Sequence, residues 1–382
     1  MNEVGRLKKF AFWLERWQKS FFSYPTSEQK DYIARFVEPK DYIERSYFQY
    51  KCQMKLKGRG ISAVLNLASL PLILRYLHKG NDELETSQCD ALFVSEGVDS
   101  FDIVPDSLKN KYNEWNDIKE LKECFNKEDR LFFLSIVKKY PMSWHFLFKT
   151  LLRIRNYSYM IKKYHPKAIV IGAEFSFTSS VGTKYCEMNG VEHINVMHGE
   201  KLYYMRDSFF AFHKCYVWDS FYIQLFEDLR AKNDKYIVEI PKKMIFTTDK
   251  EYKKEIDYTY YLQAESKEVL SVLVAELWKL KRFGNRIAVR PHPIYSDREL
   301  IHSLFSGFEI EDHHTISITE SVLRTRNVVS MYSTVLNQAY HNGINVVIDD
   351  ISDPYKYRKL KELDYIMLDK EHTLLSDVVR RI

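Results

Sequence analysis

The sequence contains no stretch of about 18 uncharged apolar residues, the length a membrane-spanning helix needs. Its longest apolar run, 61–74 (ISAVLNLASLPLIL), contains Pro71, so no span is expected there. A secretory leader is not expected either, because Glu15, Arg16 and Lys19 interrupt the early apolar residues. The five cysteines (Cys52, Cys89, Cys124, Cys186, Cys215) form no CxxC pair and no Cys/His set at zinc spacing, which points to reduced thiols and a cytoplasmic setting. GxGxxG, GxxxxGK[ST] and GxSxG are all missing, which argues against dinucleotide oxidoreductases, P-loop enzymes and serine hydrolases of the nucleophile-elbow type. No DxD closes a strand and no HExxH is present, so no metal is expected. The 57 Lys and Arg are interleaved with 52 Asp and Glu, so the one-sided basic stripe of a nucleic-acid binder is lacking. No internal repeat or low-complexity tract is visible.

What is present describes a folded protein of more than one domain. At 382 residues, 45% apolar and 29% charged, the chain has material for two α/β domains with full cores. Aromatic residues reach 15%, serving packed cores or sugar-stacking and membrane-facing surfaces. The net charge of +5 favours anionic ligands or an anionic lipid surface. The first 30 residues set Phe10, Phe12, Trp13, Trp17, Phe21 and Phe22 among basic residues, a pattern that suits an interfacial helix as well as a helix packed on the domain.

Residues 31–85 and 131–164 are predicted mainly helical, with a strand at 91–95 (ALFVS) between them. From 167 the pattern alternates: strands 167–175, 192–199, 213–219 and 236–240, with helices between. A second round follows with strands at 258–262, 286–293, 327–331 and 344–350. The predicted fold is α/β, two doubly wound Rossmann-like domains facing a cleft. The N-terminal acceptor-side domain is placed at 1–240, a lysine-rich linker at 241–256, and a C-terminal nucleotide-sugar-binding domain at 257–382.

Parallel sheets present ligands at the carboxyl ends of their strands, and several candidates fall there. Arg290-Pro291-His292-Pro293 follows an apolar strand, offering a permanent positive charge and a conformationally restricted imidazole. Ser330-Met331-Tyr332-Ser333-Thr334 opens a helix, with Ser333 or Thr334 as its N-cap and the free amides as a phosphate cradle. Asp349 and Asp350 end the next strand, to meet ribose hydroxyls or face solvent. In the first domain Met197-His198-Gly199-Glu200 follows a strand, where Gly199 permits a tight turn or close ligand approach. Glu174 and Glu96 occupy strand ends and are alternative general bases. Each also has a structural reading, as a cap, a turn or a satisfied buried group.

The order of these motifs resembles bacterial GT-B-type sialyltransferases and polysialyltransferases, which pair an acidic-glycine motif with a later His-Pro motif and a hydroxyl pair. The resemblance implies that His292 contacts the CMP phosphate of a donor such as CMP-sialic acid, that Ser333 and Thr334 hold phosphate oxygens, and that Glu96-Gly97 supplies the acidic motif, although Ser95 stands where a second acid is usual. The chain also resembles CDP-glycerol glycerophosphotransferases, which carry an early His-Gly and a later Arg-Pro-His-Pro; that likeness makes His198 the base. Both likenesses cover about residues 165–350. Three functions remain open: transfer of a sugar to a bacterial surface glycan such as capsule, O-antigen or lipooligosaccharide; transfer of a polyol phosphate; and non-catalytic carbohydrate binding or assembly. The expected partners are a nucleotide-sugar donor, a glycan or lipid-linked glycan acceptor and the inner face of the cytoplasmic membrane, with no cofactor and no nucleic acid.

Overall fold

The computed structural model describes residues 21–79, 81, 83–95 and 100–381. Glu96, Gly97 and most of the aromatic segment 1–22 lie outside the described residues. The chain divides into two units, Met1–His198 with Tyr203–Pro241, and Gly199–Leu202 with Lys242–Ile382.

The first unit opens with helices α1 (Thr26–Ala34), α2 (Tyr42–Lys57) and α3 (Arg59–His78). It continues through β1 (Ala91–Val94), α4 (Asp106–Lys111), β2 (Trp115–Ile118), α5 (Lys127–Lys139), α6 (Trp144–Tyr164), β3 (Ala168–Ile171) and α7 (Ser179–Met188). It closes with β4 (Glu192–Val196), β5 (Lys214–Val217), α8 (Phe221–Asp228) and β6 (Lys235–Val238). The second unit runs β7 (Ile256–Tyr261), α9 (Lys267–Arg282), β8 (Ile287–Arg290), α10 (Arg298–Leu304), β9 (Glu309–Ile310) and α11 (Ile318–Leu323). Then come β10 (Thr325–Ser330), α12 (Thr334–His341), β11 (Asn345–Ile348), α13 (Pro354–Glu362), β12 (Thr373–Leu374) and α14 (Leu375–Arg380).

Each unit is built on a six-stranded sheet, ordered β2-β1-β3-β4-β5-β6 in the first and β12-β11-β10-β7-β8-β9 in the second. Every strand pairing is parallel. Both are doubly wound α/β sheets, as the alternating pattern predicts. Strand order reverses between β1 and β3 in one and between β7 and β10 in the other, and these switch points are where such sheets open a crevice for ligands.

Helices covering both faces explain why β1 (ALFV) and β3 (AIVI) are buried at every position and read as uninterrupted apolar runs. The covering helices are one-sided. In α9, Leu270, Leu273, Leu277 and Leu280 recur at helical spacing and are buried against the sheet, each contributing on the order of 2 kcal/mol. Ser266 caps that helix by accepting from the Val269 amide. The corresponding core of the first unit gathers Phe93, Val104, Leu108, Val170 and Ile194.

Two elements depart from the sequence reading. β2 lies between the predicted strand 91–95 and the predicted helical region 131–164, where no strand is expected; it is an edge strand with only Ile118 buried, so its sequence, WNDI, carries no apolar run. Helix α3 continues through Pro71, and it is the one helix among the described residues long and apolar enough to cross a membrane, contrary to the expectation drawn from that proline. It is nonetheless fastened to its unit. Leu65, Ser69, Leu72, Ile73 and Tyr76 are buried, Ser69 Oγ lies 3.0 Å from His145 Nδ1, and Arg155 Nη1 donates to the Tyr76 carbonyl at 3.1 Å. No disulfide joins any of the five cysteines.

Candidate active site

In the second unit the loops after β7, β8 and β10 are tied together at the switch point. The His292 amide donates to Ser296 Oγ at 2.8 Å, and Ser296 Oγ donates to the Gln263 carbonyl at 2.8 Å. Gln263 Nε2 in turn donates to Ser333 Oγ at 3.1 Å. Three segments far apart in sequence thus converge on one strand-end cluster.

The imidazole of His292 has a defined role within it. Its Nδ1 accepts from the amides of Ile294 at 3.1 Å and Tyr295 at 3.3 Å, which leaves the ring proton on Nε2. Burial lowers its pKa below the ordinary histidine value, so the ring is neutral at pH 7. Stacking on Tyr295, with centroids 4.5 Å apart, fixes its plane. His292 is therefore an oriented Nε2–H donor at physiological pH, while Pro293 beside it is exposed.

Ser333 is the N-cap of α12, accepting from the Val335 amide at 3.3 Å, and Thr334 is the first helical residue. Together they place a helix N-terminus, with its unsatisfied amides, beside Gln263. Tyr332 packs edge-on against Tyr365 at 5.1 Å. Glu265 follows the β7 strand end; its carboxylate accepts from the Gln263 amide at 2.8 Å, and burial raises its pKa.

Other candidates occupy different positions from those the sequence suggests. Arg290 is buried; Nη1 donates to Glu311 Oε2 at 3.0 Å and Nη2 to the Ile316 carbonyl at 2.9 Å. Its charge is neutralised by Glu311, which also accepts from Arg324 at 2.9 Å, so Arg290 anchors the loop and does not present its charge to a phosphate. Truncating one side of a buried ion pair strands the other charge. Arg290→Ala is accordingly expected to cost about 3 kcal/mol of stability, read as a lower urea midpoint at unchanged slope.

Asp349 accepts from Tyr260 Oη at 2.6 Å and from the amides of Ile351 and Ser352, and Asp350 accepts from Ser376. Asp349 is buried and held by these bonds, whereas Asp350 stays half-exposed. Gly199 belongs to the second unit and does not have the positive φ of a tight turn. A Cβ added there would meet nothing within 4 Å, so what remains of the expectation is open space for a ligand. Glu200 beside it accepts from Asn337 Nδ2 of α12 at 2.8 Å.

In the first unit two of the three candidate bases, Glu174 and His198, are brought together. His198 Nδ1 lies 3.7 Å from Glu174 Oε1, with the glutamate side chain fully buried and the histidine 24% exposed. The Glu174 loop is clamped from several sides: Gln49 Nε2 donates to the Glu174 carbonyl at 2.8 Å, Gln53 Nε2 to the Phe175 carbonyl at 2.7 Å, and the Ala173 amide to Asn195 Oδ1 at 3.0 Å. Phe175 meets the His198 ring edge-on at 5.9 Å. The glutamate is the buried member of this pair and His198 the exposed one. A pocket of about 500 Å³ adjoins this loop, lined by Gln53, Lys119, Lys149, Arg153, Phe175 and Ser176.

Gln49, Gln53, Gln263, Glu265 and Ser296 were not singled out from the sequence. The only local signal was the i, i+4 glutamine pair on α2, which places both amides on one helix face. Among the described residues, Asp312, His313 and His314 alone bring three metal-ligand side chains together. That cluster is half-exposed and flanked by Arg298, whose Nη2 lies 2.9 Å from His313 Nδ1, an arrangement that repels a cation.

No protein-family model and no curated protein sequence matches the chain. Among solved structures, UDP-GlcNAc 2-epimerase from Methanocaldococcus jannaschii is similar at 11% identity and a TM-score of 0.42, over 74% of this chain and 93% of that one. A glycosyltransferase from Rickettsia africae is similar at 14% identity and a TM-score of 0.38, over 69% of this chain and 80% of that one. UDP-GlcNAc 2-epimerase from Neisseria meningitidis follows at 12% identity and a TM-score of 0.41, over 69% and 83%. Likeness this distant carries no chemistry across, and function rests on the side chains themselves.

Proposed function

We propose that this chain is a metal-independent glycosyltransferase that takes a sugar from a nucleotide donor and passes it to a bacterial surface glycan or its lipid-linked precursor. The carrying observation is the hydrogen-bonded cluster of His292, Ser296, Gln263 and Ser333 at the switch point of the second unit. Donor phosphate oxygens bind the Ser333 and Thr334 hydroxyls and the open amides of α12, and the neutral His292 donates its Nε2–H to the departing phosphate. Glu265 and Gln263 stand beside this phosphate position for the nucleoside.

Transfer breaks the bond from the anomeric carbon to the phosphate oxygen, and the electron pair leaves with the nucleotide. An acceptor hydroxyl forms the new glycosidic bond and gives its proton to His198. Glu174 balances the resulting imidazolium. The basic pocket lined by Lys119, Lys149 and Arg153 suits an acceptor bearing acidic groups. Sialic acid carried by CMP is the donor that the motif order favours, and the cytoplasm is where such a donor would be met.

One observation favours a second reading, transfer of a polyol phosphate from a CDP-polyol: the exposed residue of the dyad is the histidine, the base that this chemistry would use. In that case a phosphorus–oxygen bond breaks and CMP leaves. A thermal-shift panel tests nucleotide binding, because a ligand bound only by the native state raises the melting temperature. CMP is expected to give the largest shift, CDP would favour the second reading, and UDP or GDP would indicate another sugar donor. No shift with any of the four would overturn the enzymatic account in favour of a carbohydrate-binding or assembly role.

A further inference from the structure

We propose that the first unit docks on an anionic phospholipid bilayer through the outer face of helix α3 and the basic pocket at its N-terminal end. The face is set by the sequence of a single helix. Its inner side, Leu65, Ser69, Leu72, Ile73 and Tyr76, is buried in the unit, yet Val64, Leu67, Leu70 and Leu74 are exposed at helical spacing along the outer side. Leu67 is 64% and Leu74 56% exposed, in a helix 20 residues and thus roughly 30 Å long. Met142, 70% exposed, extends the apolar surface, its carbonyl accepting from Asn66 Nδ2 at 3.0 Å. A continuous apolar face of this kind on a soluble surface marks an interaction site.

Charge decides what covers it. A pocket of about 560 Å³ at the start of α3 is lined by Tyr24, Tyr32, Arg35, Lys51, Lys55 and Arg59. Arg35 and Lys55 both face the Tyr32 ring, at 5.9 and 5.8 Å. Among the described residues none of these four exposed cations pairs with a carboxylate. Arg75, His78 and Lys79 follow at the other end of the helix. An apolar stripe with four unpaired cations at one end, and with Arg75, His78 and the Glu123-paired Lys79 at the other, matches a bilayer whose headgroups are anionic and whose acyl boundary takes Leu67 and Leu74. Because the inner side is locked by Ser69 to His145 and Arg155 to Tyr76, the helix lies along the surface and does not cross it. Tyr24 Oη donates to the Leu56 carbonyl at 3.1 Å, which fixes Tyr24 at the pocket, and the sequence before it carries Trp13 and Trp17 among basic residues.

Co-sedimentation of the full chain with vesicles of phosphatidylcholine alone, or with phosphatidylglycerol added, tests the proposal. Binding is expected only with phosphatidylglycerol and should fall with added salt. Leu67→Gln with Leu74→Gln should weaken it at least tenfold, and both sites are exposed enough to leave the fold intact, as a melting curve will verify. Independently, each of Lys51→Gln, Lys55→Gln and Arg59→Gln should weaken it on the order of fivefold. The proposal is overturned if the wild type ignores phosphatidylglycerol vesicles. It is equally overturned if the α3 and pocket variants bind as the wild type does while Trp13→Ala with Trp17→Ala abolishes binding, because the upstream segment would then be the whole anchor. Neither result bears on nucleotide binding by the second unit.

Discussion

Glu174→Gln is expected to lower kcat by about 10²–10⁴-fold while changing the KM for the donor little, because in the proposed reaction Glu174 acts through His198 and touches no substrate. The substitution keeps volume and hydrogen-bonding shape but removes the charge that the imidazolium form of His198 needs 3.7 Å away. His198→Ala should lose a comparable factor, and the double variant should be little worse than either single one, as for residues that act as a unit. A melting temperature close to that of the wild type separates this loss from unfolding. Glu174→Asp restores the charge and should recover part of kcat. If Glu174→Gln retained full activity, His198 would need no partner and the paired-base assignment would fall.

The second large effect concerns the donor side. His292→Ala removes the donor proposed for the leaving phosphate and should reduce kcat about 10²–10³-fold. His292→Gln retains an N–H and should recover part of that loss. Both variants should fold normally, since the ring lies at the rim of the sheet, stacked only on Tyr295 and held by two amides. Because burial keeps the ring neutral, its donor function should persist unchanged from pH 7 to 8. A steep loss of donor binding over that range would instead mean that an imidazolium does the work.

How much of this could be read from the sequence depended on how local each signal was. Strands buried on both faces, such as AIVI and IAVR, announce themselves as apolar runs. The edge strand WNDI does not, because it needs no second apolar face. Helix α3 falls inside the region 31–85 predicted helical, and only its length as one unbroken apolar helix was discounted, because of a proline that sits on the exposed side, where a missing amide is tolerated. The strand-end positions of His292, Ser333 and His198 followed from the alternating pattern, since a doubly wound sheet has only one ligand-facing edge.

The commitments of side chains across the fold were not legible. Arg290 stands in the same tetrapeptide as His292, yet its guanidinium turns to Glu311, an acid 21 residues away with no local mark of pairing. Glu174 and His198 were weighed as competing bases because sequence separation concealed that β3 and β4 are neighbours whose ends meet. Gln49 reaches Glu174 across 125 residues, a contact no periodicity could announce.

The most direct test of glycosyl transfer is to incubate the wild-type chain with nucleotide-activated sugars, CMP-sialic acid first, and an oligosaccharide acceptor, and to weigh the product by mass spectrometry. The account predicts an acceptor heavier by one sugar residue without added phosphorus, with nucleotide released in equal amount and no divalent metal required. Nucleotide binding with no change in acceptor mass for any sugar donor, or a mass gain containing phosphorus from a CDP-polyol, would contradict it.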